Sequence, residues 1–480
     1  MAKILFISPN KWGRGITPIW IASHYAILKK DHEVLLFDCT FYKDWTDDEI
    51  NFNTINEQYK ASNYNNLVKF NSKSIYIDLQ EKIDLFKPDV IFWSALSSHI
   101  HGEGEYVNIQ HGYNLISKVN IYKAILITGG LQATASPEIT FKHFDKINFL
   151  ISGESEFTLK NFLDFFDQNI DVREISGISY KDKKNNIITN KRQNIIEDLD
   201  LIPDYDYSLF DKKIFLRPYN GEVVNAIDYE ISRGCIYTCT YCVETVIQKY
   251  YGFEEKTPRG ALKSAKKYLR NKSAKKIYRE LKKYKENFNI SLVRFQDTNF
   301  LTINSSTLKE LEDLMLKNPL SLKIYIETRP EGINEKSVKL LKNLGVDGVG
   351  MGVELAGNNF RENNLNRFVE EDKIIKAFDL LKKYNIKRTT YNIIGLPKQN
   401  EDSIIDTINF NKRLNPDNIT VAFYTPYIGT AEQIKSANMK YFDDYEFNLD
   451  PQLRSLSKYS LISSEKLIYY KKNFSKLVRS

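Results

Sequence analysis

Along most of this 480-residue chain, short apolar runs rich in β-branched residues alternate with longer segments whose apolar residues recur at helical spacing. Few folds accept that alternation: parallel strands joined by crossover helices, either stacked as an open sheet or curled into a barrel. The pattern occurs twice. In the first 165 residues, strands are expected at Lys3–Ser8, Val34–Asp38, Asp89–Ser94, Ala124–Thr128 and Phe149–Ser152. Helices fit near Pro18–Lys29, Ile75–Phe86, Tyr106–Val119, Pro137–His143 and Glu156–Phe166. Five such strands predict a doubly wound, Rossmann-like α/β domain over residues 1–170. A polar, turn-rich stretch, 171–222, reads as a small hairpin plus linker. The second series has strands at Val224–Ile231, Ser291–Phe295, Lys323–Glu327, Gly348–Glu354, Arg388–Ile394 and Thr420–Tyr424. Its helices are expected at Ala265–Tyr284, Ser306–Leu316, Glu335–Leu344, Glu370–Tyr384 and Ser403–Leu414. Six β/α units predict a partial parallel barrel over residues 223–430. Residues 431–480 read as a short, basic and aromatic helical tail.

Composition narrows the function classes. No apolar run approaches the roughly 18 residues of a membrane span, and no leader pattern follows Met1, so a cytoplasmic protein with no membrane span is expected. The formal charge of +7 is spread thinly. Its densest patch, Lys263 to Lys283, also carries Glu280 and helically spaced Tyr and Leu, the mark of a solvated helix face rather than a nucleic-acid surface. No nucleic-acid partner is expected. Four Cys in 480 residues exclude a disulfide framework.

Several strands of the first series end in Gly, Ser or Asn, where a doubly wound sheet opens its ligand crevice. None of those loops contains G-x-G-x-x-G after the first strand, which disfavours a nicotinamide or flavin dinucleotide. Just after the first strand of the second series comes Ser232-Arg-Gly-Cys235-Ile-Tyr-Thr-Cys239-Thr-Tyr-Cys242. Three thiolates at these spacings can hold an iron–sulfur cluster and leave one iron without a protein ligand. A zinc site would want a fourth Cys or His, and the next forty residues contain neither. Cys39 lies beside an apolar strand of the other domain and reads as a buried small hydrophobe.

C-x3-C-x-aromatic-C after the first strand of a six-unit partial barrel resembles the radical S-adenosylmethionine (SAM) enzymes. The resemblance implies that Cys235, Cys239 and Cys242 hold a [4Fe–4S] cluster whose fourth iron is chelated by SAM. Reduction of the cluster then cleaves SAM to a 5′-deoxyadenosyl radical. Tyr241 would lie near the adenine. Phe295-Gln-Asp297-Thr-Asn299-Phe300 resembles the acidic strand-end motif facing the methionine end of SAM. Arg329 ends the third unit, and Glu354, in Gly352-Val-Glu354, would bond a ribose hydroxyl or the amino group. Gly395-Leu-Pro397 followed by Glu401 looks like the adenine-contact motif, and Tyr424 to Thr430 like the sixth strand end that closes the site.

The first domain resembles the cobalamin-binding domain that precedes the barrel in one subgroup of that family. Thr128-Gly129-Gly130, Pro137-Glu138 and Ser152 to Leu159 carry this likeness. Gly129 and Gly130 would let backbone approach a flat macrocycle, and the small residues Ser94, Ala95, Ser97 and Ser98 would leave room for its nucleotide tail. The D-x-H-x-x-G motif that supplies a cobalt ligand elsewhere is missing, which leaves His99 and His101 as the remaining candidates. The resemblance implies methylation of an unactivated carbon of a small metabolite or lipid intermediate. The methyl would come from cobalamin bound across the domain interface. A flavodoxin or ferredoxin would supply electrons. Cyclisation or rearrangement, methylthiotransfer, and a non-catalytic Fe–S or zinc protein that senses redox state or binds nucleic acid are the rival readings. Methylthiotransfer would need three more Cys, and only Cys39 remains.

Overall fold

The computed structural model describes residues 1–96, 102–438 and 460–480. It divides into two compact units. Unit 1 comprises Met1–Asp48, Tyr64–Arg217 and Val246–Phe253, and unit 2 comprises Glu49–Asn63, Pro218–Thr245 and Glu254–Ser480.

Unit 1 is built on strands β1 (Lys3–Ser8), β2 (Glu33–Asp38), β3 (Val90–Trp93), β4 (Ile125–Thr128), β5 (Phe149–Ile151), β6 (Ile178–Lys181) and β7 (Ile187–Thr189). They form one sheet in the order β2-β1-β3-β4-β5-β6-β7. The first five run parallel. The order 2-1-3-4-5 reverses between β1 and β3, the switch point where such sheets bind ligands at their carboxyl edge. The stretch that reads as a hairpin is one: β6 and β7 pair antiparallel and extend the sheet beyond β5. Leu5, Ile7, Ile91, Trp93, Leu126 and Leu150 alternate onto one face and are buried there. Cys39 is fully buried in the same cluster.

Unit 2 is a half-barrel of strands β8 (Leu216–Tyr219), β9 (Glu222–Tyr229), β12 (Leu292–Phe295), β13 (Lys323–Thr328), β14 (Val346–Glu354), β15 (Lys387–Ile394) and β16 (Asn418–Phe423). Their order is β16-β15-β14-β13-β12-β9-β8. From β9 to β16 every neighbouring pair is parallel, which makes the six expected β/α units. Four of the following helices start on a side chain that accepts from a backbone N–H of their first turn: Ser273, Asn304, Asn334 and Asn400. On the convex side Ile394, Ile419, Val421 and Phe423 pack against Leu467, Tyr470, Phe474 and Val478 of the tail helix Ser464–Arg479. That helix also holds the segment Glu49–Asn63, through Arg479 to Glu57 at 3.7 Å and Gln58 to the Lys471 carbonyl at 3.4 Å.

One expected element is corrected. The basic run expected as a single helix, Ala265–Tyr284, is broken into a turn at Ala265–Tyr268 and a helix at Ala274–Phe288. Between them the short strand β11 (Arg270–Asn271) pairs antiparallel with β10 (Ser232–Arg233). Ser273 restarts the helix by accepting from the Lys276 N–H. Local helical propensity lost here to tertiary pairing.

The break drops Lys272 into the core, where its ammonium lies 3.1 Å from Glu280 with both side chains fully buried. The Tyr229 hydroxyl, at the end of β9, donates to the same carboxylate. Removing one member of a buried pair leaves the other uncompensated, at a cost of about 3–5 kcal/mol. Glu280→Gln is therefore expected to lower unfolding free energy in urea by that order, whereas exchange of the exposed Glu286 should change it by less than about 0.5 kcal/mol.

Candidate active site

β9 ends at Tyr229, and the chain passes through Glu230 and Ile231 into β10 and the cysteine loop. Asp297, two residues beyond β12, anchors that passage. Its carboxylate accepts from the amides of Ile231 at 3.2 Å and Ser232 at 2.6 Å, and from the Ser232 hydroxyl. Burial lifts this carboxyl to about 7, against the pull of the Ser232 hydroxyl and with the repulsion of Glu230. Glu230, itself fully buried, pairs with Arg233 at 2.7 Å.

Residues 235–242 form no strand or helix beyond an isolated bridge from Tyr237 to Ala261, so side chains and single backbone bonds hold them. Glu244 Oε1 accepts from the Cys235 amide at 2.9 Å and from the Tyr268 hydroxyl at 2.6 Å. Asn366 Nδ2 donates to the Thr238 carbonyl at 2.9 Å, and the Thr240 hydroxyl to the Asn364 carbonyl at 2.8 Å. Cys235 and Cys239 are buried and Cys242 is half-buried, and none of the three is in a disulfide. Burial pushes Cys235 up to about 12 and Cys242 well above its ordinary value, with neighbouring acidic groups acting in the same direction. A bound metal reverses that balance, because a coordinated thiol is deprotonated outright.

The donor set fits an iron–sulfur cluster. Arg329 Nη1 donates to Cys239 Sγ at 3.3 Å, its Nε to Glu331 Oε1 at 2.9 Å, and its guanidinium lies 3.7 Å from the centre of the Tyr237 ring. A fixed cation beside the sulfurs stabilises the negative charge of thiolate-ligated iron, and hydrogen bonds to sulfur tune its potential. Among the described residues no three His, Cys, Asp or Glu side chains are placed to share one metal ion.

Around the loop, the expected residues are drawn into contact one by one. The Tyr241 hydroxyl donates to Glu354 Oε1 at 2.9 Å, and its ring packs beside Leu355, Leu396 and Tyr424. Glu354 adopts a left-handed φ of +63°, where the register of β14 against β15 slips. Such strain costs about 1–3 kcal/mol and collects at functional sites. Asn299 Oδ1 accepts from the Thr328 hydroxyl at 2.7 Å and the Arg329 amide at 3.3 Å, which ties the ends of β12 and β13 together. The amides of Gly395 and Leu396 both donate to Gln399 Oε1, at 2.7 and 3.2 Å, and Pro397 is buried beside them. Asp297 spends its carboxylate on the backbone entering the loop, the contact of a positioning residue.

Sequence reading missed Glu244, Arg367 and Gln399. Arg367 is buried, donates to the Gly352 carbonyl and lies 3.7 Å from Glu354 Oε1. Nothing local in the sequence marks it, since fifteen residues and a helix separate it from its partner carbonyl.

In unit 1 the carboxyl edge is knotted around Gly129 and Gly130. The Gly129 amide donates to the Ser94 carbonyl at 2.9 Å, and Ser94 takes a left-handed φ of +62°. Gly130 has φ +87°, and a Cβ there would stand 2.7 Å from Ser94 Oγ, so this position needs glycine. Ser97, Ser98, His99 and His101 lie outside the described residues.

Residues 229–410 match the family described as the radical SAM superfamily. The chain carries a radical SAM domain. With that domain come a [4Fe–4S] cluster and SAM as the cofactors of the family. The chain is 25% identical over 358 residues to an uncharacterised methyltransferase of Pyrococcus horikoshii, covering 74% of this chain and 71% of that one. It is 25% identical over 362 residues to the anaerobic magnesium-protoporphyrin IX monomethyl ester cyclase of Rubrivivax gelatinosus, covering 73% of this chain and 58% of the cyclase. In fold it resembles the radical SAM methyltransferase TsrM from Kitasatospora setae, solved with tryptophan and a SAM analogue, at a TM-score of 0.64 and 13% identity over 91% of this chain and 76% of TsrM. Another structure of TsrM holds cobalamin and a [4Fe–4S] cluster. Among the described residues no helix is long and apolar enough to cross a membrane.

Two outcomes follow from this geometry. The folded chain keeps the Asp297 proton up to about pH 7, whereas an unfolded Asp releases it near 3.8. Its contribution to stability is therefore full below about pH 4 and is lost as pH rises to about 7, a swing of up to about 4 kcal/mol. Asp297→Asn stays neutral and keeps an acceptor for Ser232, so urea unfolding across that range should show a flatter decline than the wild type. An equally steep decline would assign the titration elsewhere. At Gly352 a Cβ would stand 2.2 Å from Glu354 Oε1. Gly352→Ala should displace Glu354 from Tyr241 and lower stability by about 1–3 kcal/mol, read as a drop in melting temperature.

Proposed function

We infer that this chain is a cobalamin-dependent radical SAM enzyme that methylates an unactivated carbon of a small metabolite or lipid intermediate. The observation that carries the radical half is the loop of three Cys outside any disulfide, with the Arg329 guanidinium on Cys239 Sγ. The cobalamin half draws support from the 2-1-3-4-5 sheet of unit 1, whose carboxyl edge places Gly130 against Ser94. When bound, the cluster and SAM supply a radical able to take hydrogen from an unactivated carbon, and the corrinoid supplies a methyl group.

The residues of this chain do the holding and shielding. Cys235, Cys239 and Cys242 would ligate three irons, and Arg329 would offset the charge beside them. Tyr241 with Glu354, and Gly395 to Pro397 braced by Gln399, would seat the adenosine of SAM, while Asp297 and Asn299 keep the neighbouring strand ends in register. Ser94, Gly129 and Gly130 would meet the corrinoid. The concave face of the half-barrel offers the substrate a polar wall, where Tyr325 and Tyr391 meet hydroxyl to hydroxyl at 2.8 Å and Tyr391 donates to Glu327 at 3.0 Å. Gly350 lies beneath them, where an added Cβ would stand 2.6 Å from both hydroxyls. Electrons would come from a flavodoxin or ferredoxin, since no flavin motif occurs in the chain.

The test is metal content and SAM cleavage on protein made anaerobically with cobalamin supplied. About four irons per chain, stoichiometric cobalt, and 5′-deoxyadenosine formed under reduction are expected, and Cys239→Ala should lose the iron and that activity together. Iron without cobalt would remove the methylation half. Zinc without iron would sink both. The cyclase among the relatives favours radical cyclisation as the second reading, and product mass separates the two: methylation adds a methyl group, whereas cyclisation removes hydrogen.

A further inference from the structure

In the short helix Gly130–Ala135 that follows β4, Gln132 is 1% exposed, yet both its Oε1 and its Nε2 are buried without a hydrogen-bond partner. A buried amide left open at both ends is expensive, and replacing an orphaned polar group by an apolar one of similar shape is neutral or stabilising. Its neighbours are fully engaged. Thr134 Oγ1 accepts from the Gly153 amide at 2.8 Å, the Ser152 hydroxyl donates to the Ala133 carbonyl at 3.0 Å, and the Gln132 carbonyl itself accepts from the Thr140 hydroxyl at 3.2 Å. The backbone around Gln132 is thus pinned while its side chain is left unsatisfied. The same knot contains Ser94 in a strained left-handed conformation and Gly130 pressed against it. Strain and an unmet amide at one strand-end cluster are features a folded chain keeps for a ligand rather than for stability.

We propose that Gln132 is a ligand-binding residue of unit 1 whose amide pairs with a primary carboxamide of the corrin periphery. This rests on the reading of unit 1 as a corrinoid site. A Gln side chain offers one acceptor oxygen and an NH₂ donor side by side, and its complement is another primary amide, which returns both bonds. The corrin ring is fringed with primary carboxamides. A phosphate or a cluster sulfide would satisfy only the donor and leave Oε1 orphaned.

The test compares the wild-type chain with Gln132→Leu, using hydroxocobalamin and a cobinamide, which keeps the corrin amides but lacks the nucleotide tail. Dissociation constants come from spectral titration, alongside the melting temperature of the cobalamin-free protein. Gln132→Leu should weaken both corrinoids by roughly tenfold or more, the loss expected when a buried amide pair is removed. In the same variant the melting temperature of the cobalamin-free protein should hold or rise, because the orphaned group is gone. Gln132→Glu, which keeps an acceptor but offers no NH₂, should also bind weakly. Affinity within about twofold of wild type in Gln132→Leu would overturn the assignment, as would a fall in melting temperature, which marks a structural side chain. Weakened cobalamin with unchanged cobinamide would place the amide on the nucleotide tail and overturn it equally. A wild-type chain that binds neither corrinoid would remove the reading of unit 1, and this assignment with it.

Discussion

Parallel strands joined by helices all finish at the same edge of their sheet, and this constraint governs both halves of the chain. Each crossover returns the backbone to the amino edge, so the loops leaving the carboxyl edge are gathered although they lie far apart in sequence. In unit 2 that edge collects the cysteine loop after β9, Asp297 and Asn299 after β12, Arg329 after β13, Glu354 at the end of β14 and Gly395 after β15. In unit 1 it collects Ser94, Gly129 and Ser152 in the same way. Helix and sheet stability is secured on the other faces, for example by the tail helix on β15 and β16, which leaves the edge free for chemistry.

What the edge carries is polar, and it is satisfied by polar side chains rather than by regular structure. The cysteine loop has almost no ladder of its own, so Glu244, Asn366 and Asp297 act as its hydrogen-bond partners. Those from Asn366 and Asp297 are long-range bonds, and buried bonds of this kind penalise every alternative position of the loop because a broken one leaves a desolvated group behind. The same logic gives Arg329 its place. Stacked on Tyr237 and tied to Glu331, the guanidinium is held where one N–H meets a cysteine sulfur. A cation so confined is a permanent feature of the electrostatics around the three thiols, not a side chain that must be recruited.

Periodicity made most of the fold legible. Lys3–Ser8, Ile75–Phe86, Pro137–His143 and Glu335–Leu344 coincide with their expected bounds, and the six barrel strands fall within two residues of theirs. The exception is instructive. Between Ala265 and Tyr284 the local composition is uniformly helical, but β10 requires an antiparallel partner, and Arg270–Asn271 supplies it. A window of sequence cannot register a demand made by a strand forty residues away. Arg367 and Gln399 escaped for the same reason: each is defined by the group it satisfies, a carbonyl of β14 and the amides of Gly395 and Leu396, and neither bears a local mark.

By itself, the sequence determined the alternation of elements, hence two parallel sheets, and the spacing of three thiols on one short loop, because periodicity and spacing are local properties written in consecutive residues. Tertiary structure alone decided which side chains those thiols meet, that Glu354 would be strained against Tyr241 and Arg367, and that Gln132 would be buried with its amide unmet. Burial and hydrogen-bond satisfaction are sums over neighbours contributed by distant segments. They take a value only once the chain has closed around the group in question.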